Sequence, residues 1–168
     1  RHLYKYLLID DQIKHDPTLN IDSPKQWKVL PKSLAQDEIS LTLASPKPTG
    51  NSKLSLAIAI RDRAMLEVFY AGALRVSELV GAKLDDLKLD MGYMLVRGKG
   101  DKERIVPLGR SAQDAVAIYL RDSRPGIVAG KSSPALFVGR GGRKLTRQRA
   151  WQMVRVASMN SGRVASPH

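Results

Sequence analysis

The sequence contains no cysteine, and this absence excludes disulfide frameworks, thiolate zinc sites and cysteine nucleophiles. The three histidines, His2, His15 and His168, lie far apart and lack the spacing of metal ligands. The longest apolar run, residues 115–120, has six residues, so the sequence predicts neither a membrane span nor a signal peptide. We therefore expect a cytoplasmic protein without a metal centre.

Acidic residues are also scarce. The 168 residues include 28 Lys and Arg but 16 Asp and Glu, which gives a net charge of +12. Residues from 91 onward carry +11 of this total, and residues 140–155 include no acid. Charge of one sign in one region is typical of a surface that binds a polyanion, foremost the phosphates of nucleic acid. An anionic membrane is disfavoured because the basic stretch lacks an aromatic-rich apolar face, and RNA is disfavoured because the aromatic residues do not cluster.

The composition, 43% hydrophobic and 26% charged, is typical of a globular protein, and most of the apolar periodicity is helical. We predict a first helix over residues 2–13 that ends before Asp16 and Pro17. Proline sterically disfavours the α-helical conformation in the residue that precedes it. Ser33 is predicted to cap a second helix, with Gln36 at the capping-box position. Further helices are predicted over 58–70 with Gly72 as the stop, from about Ser77, over 111–121 with a serine cap, and from a Thr146 cap to about Met159.

A small antiparallel sheet is also predicted. Residues 93–97 and 104–108 are short apolar runs, and the intervening segment holds two glycines and an aspartate, which favours a hairpin. A second glycine-rich turn is predicted at residues 139–142. Neither turn has the spacing of a Walker P-loop or a dinucleotide fingerprint. The predicted fold class is mainly α with a small antiparallel β-sheet.

Two segments resemble conserved motifs of the tyrosine recombinases. The first conserved box of that family is similar to residues 72–79, Gly-Ala-Leu-Arg-Val-Ser-Glu-Leu, and its lysine-bearing β-hairpin is similar to residues 96–108, Val-Arg-Gly-Lys-Gly-Asp-Lys-Glu-Arg-Ile-Val-Pro-Leu. The likeness is greatest to Xer-type recombinases and phage-type integrases. It implies that residues 1–14 are the last helix of a core-binding domain, residues 15–32 an interdomain linker and residues 33–168 the first part of a catalytic domain. We expect such a chain to begin inside a longer polypeptide.

The resemblance assigns roles to individual residues. Arg75 matches the first catalytic arginine, and a guanidinium suits this role because its planar fork binds two phosphate oxygens. Lys99, between two glycines, matches the hairpin lysine, a general acid that protonates the departing 5′-oxygen. Glu78 is either a buried acid that orients an arginine or an ordinary acid in the first turn of a helix. The residues assigned to DNA phosphates are Lys102, Arg104, Arg140, Arg143, Lys144, Arg147 and Arg149.

His168 ends the sequence, and Ser166-Pro167-His168 resembles the start of the family's His-x-x-Arg box. A chance terminal histidine is the alternative. If the match holds, the second arginine and the nucleophilic tyrosine lie beyond the chain. None of the five tyrosines matches the family's nucleophile, so we expect the chain alone to be catalytically inactive.

The resemblance implies a site-specific DNA recombinase that cleaves and rejoins strands through a 3′-phosphotyrosyl intermediate, without a metal or other cofactor. Its implied partners are duplex DNA and other protomers assembled on that DNA. DNA integration and chromosome partition are the implied processes, and the sequence does not choose between them. The alternative is a non-catalytic DNA-binding module on the same fold.

Overall fold

The computed structural model describes residues 2–21, 35–98 and 102–159. The chain divides into two compact units, Arg1–Ser33 and Leu34–His168, which are treated separately below. The predicted positions Ser33, Lys99 and His168 lie outside the described residues. The three-part domain division stays a prediction.

In the described part of the first unit, residues 2–21, the chain forms the helix α1 (His2–Ile9). The prediction that it continues to Ile13 is wrong, because Asp11 adopts a left-handed conformation with φ of 52° and ends the helical path. Asp16 therefore does not mark the end of the helix. Its Oδ1 instead accepts a 2.8 Å hydrogen bond from the backbone N–H of Thr18 and stabilises the next turn.

The second unit is mainly helical. Its longest helix lies at the centre and packs against four others, and its Ala64, Met65 and Val68 side chains are buried. Burial of this apolar face from water stabilises the unit. The central helix is α3 (Lys53–Ala71), its four neighbours are α2 (Gln36–Ala44), α4 (Val76–Gly81), α5 (Arg110–Ile118) and α6 (Arg124–Val128), and the last helix is α7 (Arg147–Met159).

Two predicted helix starts have different outcomes. Helix α2 begins at Gln36, and the Glu38 side chain accepts a 2.7 Å hydrogen bond from the backbone N–H of Ala35. The side chain at the capping-box position is therefore that of Glu38. The prediction that Gln36 would occupy this position is wrong. At α7 the prediction is confirmed, because Thr146 Oγ1 accepts a 3.1 Å hydrogen bond from the Arg149 backbone N–H.

The helix predicted over residues 111–121 is longer than expected. Helix α5 begins after Gly109 without a serine cap, passes through a π-helical turn at Tyr119–Ser123 and continues as α6. Pro125 cannot donate the usual backbone hydrogen bond to a carbonyl four residues earlier. A wider turn before it lets the chain remain helical.

The sheet contains three antiparallel strands in the order β1 (Leu87–Lys88), β2 (Tyr93–Arg97) and β3 (Glu103–Pro107). The β2–β3 hairpin was predicted to within one residue, whereas β1 was missed because two residues carry no recognisable alternation. Val96 pairs with Arg104, and Met94 pairs with Val106. Paired residues share a face of the sheet, so Arg104 lies on the same face as the buried Met94, Val96 and Val106.

The predicted fold class, mainly α with a small antiparallel sheet, is confirmed. Among the described residues, no helix has the length and apolar character needed to cross a membrane.

Candidate active site

The turn between α3 and α4 packs against the sheet and positions Arg75 beside it. Gly72 ends α3, as predicted, and a Cβ at this position would lie 2.9 Å from Val106 Cγ1 of β3. Only glycine lets the helix end pack so closely on the strand. Leu74 is buried directly after this contact, and Arg75 then occupies the N-cap position of α4.

Glu78 joins two arginines through a single buried carboxylate, whose side chain is 3% exposed. Its Oε2 accepts a 2.8 Å hydrogen bond from the backbone N–H of Arg75, and its Oε1 accepts a 3.1 Å bond from Arg75 Nη1. Arg104 binds the same carboxylate with both ends of its guanidinium, from Nη1 to Oε1 and from Nη2 to Oε2, each at 2.9 Å. We call Arg75, Glu78 and Arg104 the Glu78 cluster.

The cluster keeps Glu78 ionised. The hydrogen bonds from Arg104 are the largest cause, and together with those from Arg75 they outweigh burial and lower the pKa of Glu78 from 4.5 to about 2. Glu78 in turn raises the pKa of Arg104. At neutral pH the cluster therefore contains two guanidinium groups and one carboxylate, and its net charge is +1.

Arg75 carries the accessible part of that charge. Its side chain is 73% exposed, whereas that of Arg104 is 40% exposed. A guanidinium that is fixed at its base and open to solvent at its tip can bind a phosphate with charge-assisted hydrogen bonds. Glu78 lies in the first turn of α4 and is also a buried acid bound to two arginines, so its position fits both interpretations left open by the sequence, and its role in the site stays a prediction.

The start of the predicted lysine turn lies beside this cluster. Gly98 donates a 2.9 Å backbone hydrogen bond to the Lys102 carbonyl, and a Cβ on Gly98 would lie 3.8 Å from Glu78 Oε1. Gly98 immediately precedes Lys99 in the sequence. Lys99 and His168 themselves lie outside the described residues, and Lys102 is exposed.

A second group of cations lines a cavity of about 640 Å³ on the same unit. Three of them were predicted phosphate ligands, and two, Arg61 and Lys131, were missed. Lys144 and Arg147 are exposed but do not line this cavity. The basic cavity, as we call it, is lined by Arg61, Lys131, Arg140, Arg143 and Arg149 among other residues.

A glycine turn brings Arg140 and Arg143 to the basic cavity. Val138 pairs with Lys144, and the Gly139 backbone N–H donates a 2.7 Å hydrogen bond to the Arg143 carbonyl. Gly141 and Gly142 adopt left-handed conformations, with φ of 67° and 75°. Such conformations are costly for residues with a Cβ, so the glycines allow the tight turn.

Asp62 binds two of the arginines that line the basic cavity. Its Oδ1 accepts a 2.9 Å hydrogen bond from Arg61 Nε, and its Oδ2 accepts a 3.4 Å bond from Arg149 Nη2. Arg61 is buried and also donates a 3.0 Å bond from Nη1 to the Val138 carbonyl. The sequence did contain a signal for Asp62, because in the helix predicted over 58–70 it lies four residues after Ile58 and three before Met65, on the side where apolar residues recur. A charge at such a position indicates a buried ion pair.

In the parts of the chain that the structure describes, no three His, Cys, Asp or Glu side chains gather into a group that could hold a metal ion.

The sequence model of the phage integrase family matches residues 32–168, and the chain belongs to that family. Among its curated relatives, the tyrosine recombinase XerD of Listeria innocua is 40% identical over 171 residues, which cover 100% of this chain and 56% of that protein. XerD of Pseudomonas aeruginosa is 42% identical over 172 residues, or 100% of this chain and 55% of that protein. The chain thus spans about half the length of these relatives. The resemblance found in residues 72–79 and 96–108 is confirmed.

Solved structures share the fold. The XerH site-specific recombinase bound to its palindromic difH substrate, in a post-cleavage complex, matches with a TM-score of 0.71 and 24% identity, over 95% of this chain and 47% of that chain. The XerA recombinase matches with a TM-score of 0.66 and 19% identity, over 99% of this chain and 62% of that chain. At these identities the likeness establishes the fold.

Proposed function

We propose that this chain is the part of a site-specific recombinase that holds the first catalytic arginine and the hairpin lysine. The observation that carries the proposal is Arg75, whose exposed guanidinium is fixed by buried Glu78 beside the start of the Lys99 turn. The relatives named XerD and the DNA-bound XerH structure support the same assignment. Because the chain spans about half of its relatives' length, the proposed reaction is that of a protein as long as they are.

In the proposed reaction, a tyrosine oxygen attacks the phosphorus of a DNA phosphodiester and the bond from phosphorus to the 5′-oxygen breaks. Arg75 binds the non-bridging oxygens, where charge increases in the transition state. Lys99 donates a proton to the departing 5′-oxygen, which leaves as a hydroxyl. The tyrosine hydroxyl loses its own proton as it attacks, so the step consumes no proton overall. His168 is proposed to take part as the first residue of the His-x-x-Arg box, and the tyrosine and second arginine are proposed to come from outside this chain.

No cofactor is needed, because the phosphotyrosyl ester preserves the energy of the original phosphodiester. A 5′-hydroxyl then attacks this ester, which rejoins the strand and releases the tyrosine. We propose duplex DNA and other protomers assembled on it as partners, and a role in the cytoplasm in DNA integration or chromosome partition.

DNA binding is proposed to depend on contacts to the phosphate backbone. The basic cavity brings Arg140, Arg143 and Arg149 together, and such contacts fix the register of a protein on the duplex. The exposed Lys102, Lys144 and Arg147 extend this surface.

A nicked suicide duplex tests the reaction, because the short cleaved strand diffuses away and traps the covalent product. The complete gene product that contains this sequence is expected to give a protein–DNA band on a denaturing gel. The 168-residue chain is expected to bind the duplex and to give no such band. A band from the 168-residue chain that disappears when one of its five tyrosines is changed would show that we have placed the nucleophile wrongly.

If the protein is instead a non-catalytic DNA-binding module, the suicide-duplex experiment should give a different result. In that case the complete gene product would retard the duplex on a native gel and form no covalent band, even with the suicide substrate. This outcome would reject the recombinase and favour the alternative.

A further inference from the structure

We propose that Arg104 is a positioning residue, which neutralises Glu78 so that the guanidinium of Arg75 stays available to a phosphate. The catalytic importance of this role rests on the function proposed above, whereas the contact itself does not. The sequence had suggested a direct phosphate contact for Arg104, and the structure gives a reason to reassign it.

The geometry of Arg104 favours the carboxylate over a phosphate. Both Nη atoms bind Glu78 at 2.9 Å, one to each oxygen. A phosphate would therefore compete with a buried carboxylate for the same two atoms. The position of Arg104 on the buried face of β3 also directs its side chain toward Glu78.

The charge balance explains why this matters to Arg75. In the described part of the chain, Arg75 and Arg104 are the cations that form salt bridges with Glu78. Without Arg104, a buried carboxylate would have Arg75 as its remaining counter-ion among them. Burial makes an unpaired charge costly, so the exposed guanidinium of Arg75 would turn inward and neutralise Glu78.

Salt-dependent binding of duplex DNA by the 168-residue chain separates a positioning role from a direct contact. Each phosphate contact contributes about 0.9 to the slope of log affinity against log salt. If Arg104 positions Arg75, then Arg104→Gln, Arg75→Ala and the double variant should each lower the slope by the same amount, about 0.9. If Arg104 binds a phosphate itself, the two losses should add to about 1.8, and this result would overturn the proposal.

The Glu78→Gln/Arg104→Gln double variant provides a second test that also protects the fold, because it leaves no buried charge unpaired. Removal of the carboxylate frees Arg75, so the slope should return to the wild-type value. A slope that stays low would contradict the proposal. Arg97→Gln is the matched control, since Arg97 lies on the same hairpin and pairs with exposed Glu103. We expect the salt slope of this variant to stay close to the wild-type value.

Chemical modification provides a measurement that does not depend on DNA. Phenylglyoxal modifies accessible arginines, and peptide mass spectrometry reports the rate at Arg75 relative to exposed Arg121 in the same chain. We expect this ratio to fall several-fold in Arg104→Gln and to recover in the Glu78→Gln/Arg104→Gln variant. An unchanged ratio in Arg104→Gln would overturn the proposal.

The two proposals fail differently. If the wild-type chain does not bind duplex DNA, the proposed function is rejected, and the modification rates still decide the role of Arg104. If DNA binds and the slopes add, the function survives and the positioning role is rejected.

Discussion

Glu78 and Asp62 are both buried carboxylates that each bind two arginines, and they differ in which arginines they hold. Glu78 binds Arg104 and Arg75, whose side chains are 40% and 73% exposed. Asp62 binds Arg61, which is 4% exposed, and reaches Arg149 at the longer distance of 3.4 Å. Glu78 therefore binds arginines that are exposed to solvent, whereas the nearer partner of Asp62 is an arginine in the core.

The difference indicates what each cluster does. Arg61 also donates to the carbonyl of Val138, 77 residues away in sequence, so Asp62 and Arg61 fasten α3 to the segment that precedes the glycine turn. Glu78 instead fixes an arginine at a helix start while leaving its tip open. We therefore infer that the Asp62 pair mainly stabilises the fold, and we propose that the Glu78 cluster holds Arg75 ready to bind a phosphate.

Replacement of the two carboxylates by their amides should produce the largest contrast. Asp62→Asn leaves the buried Arg61 guanidinium without its charged partner and is expected to lower the free energy of unfolding by about 3–5 kcal/mol. Glu78→Gln leaves two arginines that can be hydrated, so we expect a loss of about 1–3 kcal/mol. Urea denaturation of the 168-residue chain measures both, and equal losses would remove the distinction between the clusters.

Arg75, the exposed arginine bound to Glu78, and Arg149, the exposed arginine bound to Asp62, should differ in their effect on catalysis. In the complete gene product, Arg75→Ala is expected to slow single-turnover cleavage of a suicide duplex by about 10²–10³-fold, the usual cost of losing one donor to a developing negative charge. Arg149→Ala should leave that rate nearly unchanged once the DNA concentration is saturating. A similar loss in both variants would indicate that Arg149 also acts at the reacting phosphate.

Acid should weaken the Glu78 cluster over a defined range of pH. The pKa of Glu78 is lowered in the folded protein from 4.5 to about 2, so its stabilising contribution is complete above pH 4.5 and is lost as the pH falls toward 2. The difference in urea midpoint between the wild type and Glu78→Gln should therefore shrink across this range. Glu103→Gln, at an exposed ion pair of the same hairpin, is the control and should show little difference at any pH.

The smallest expected effect concerns DNA affinity at the basic cavity. Arg140→Ala and Arg149→Ala should each lower the salt slope by about 0.9, the contribution of one phosphate contact. Arg121→Ala removes the same charge from a position paired with Asp122 outside the cavity, and its slope should stay close to the wild type. Equal slopes for all three variants would show that net charge, and not the cavity, determines DNA binding.

The parts of the site predicted from the sequence are local. Arg75 and Glu78 are three residues apart, a spacing at which the start of a helix brings an acid back to the N-cap residue. The β2–β3 hairpin is similarly local, because a short glycine-containing connection between two apolar runs limits how they pair. Family resemblance then supplied the proposed roles of Arg75 and Lys99.

The parts that were missed depend on contacts between distant residues. Arg104 lies 26 residues from Glu78, and Arg149 lies 87 residues from Asp62. The alternation of Arg104 with Val106 does place Arg104 on the buried face, but no sequence pattern states which carboxylate it meets there.

The sequence by itself determined the family, the fold class and the concentration of positive charge, because these depend on composition or on residues within a few positions of each other. Only the tertiary structure decided that Arg104 faces Glu78 and that Arg61, Lys131, Arg140, Arg143 and Arg149 share one cavity. The physical reason is that a buried carboxylate binds the cations that packing brings within hydrogen-bond distance, and packing depends on the whole core.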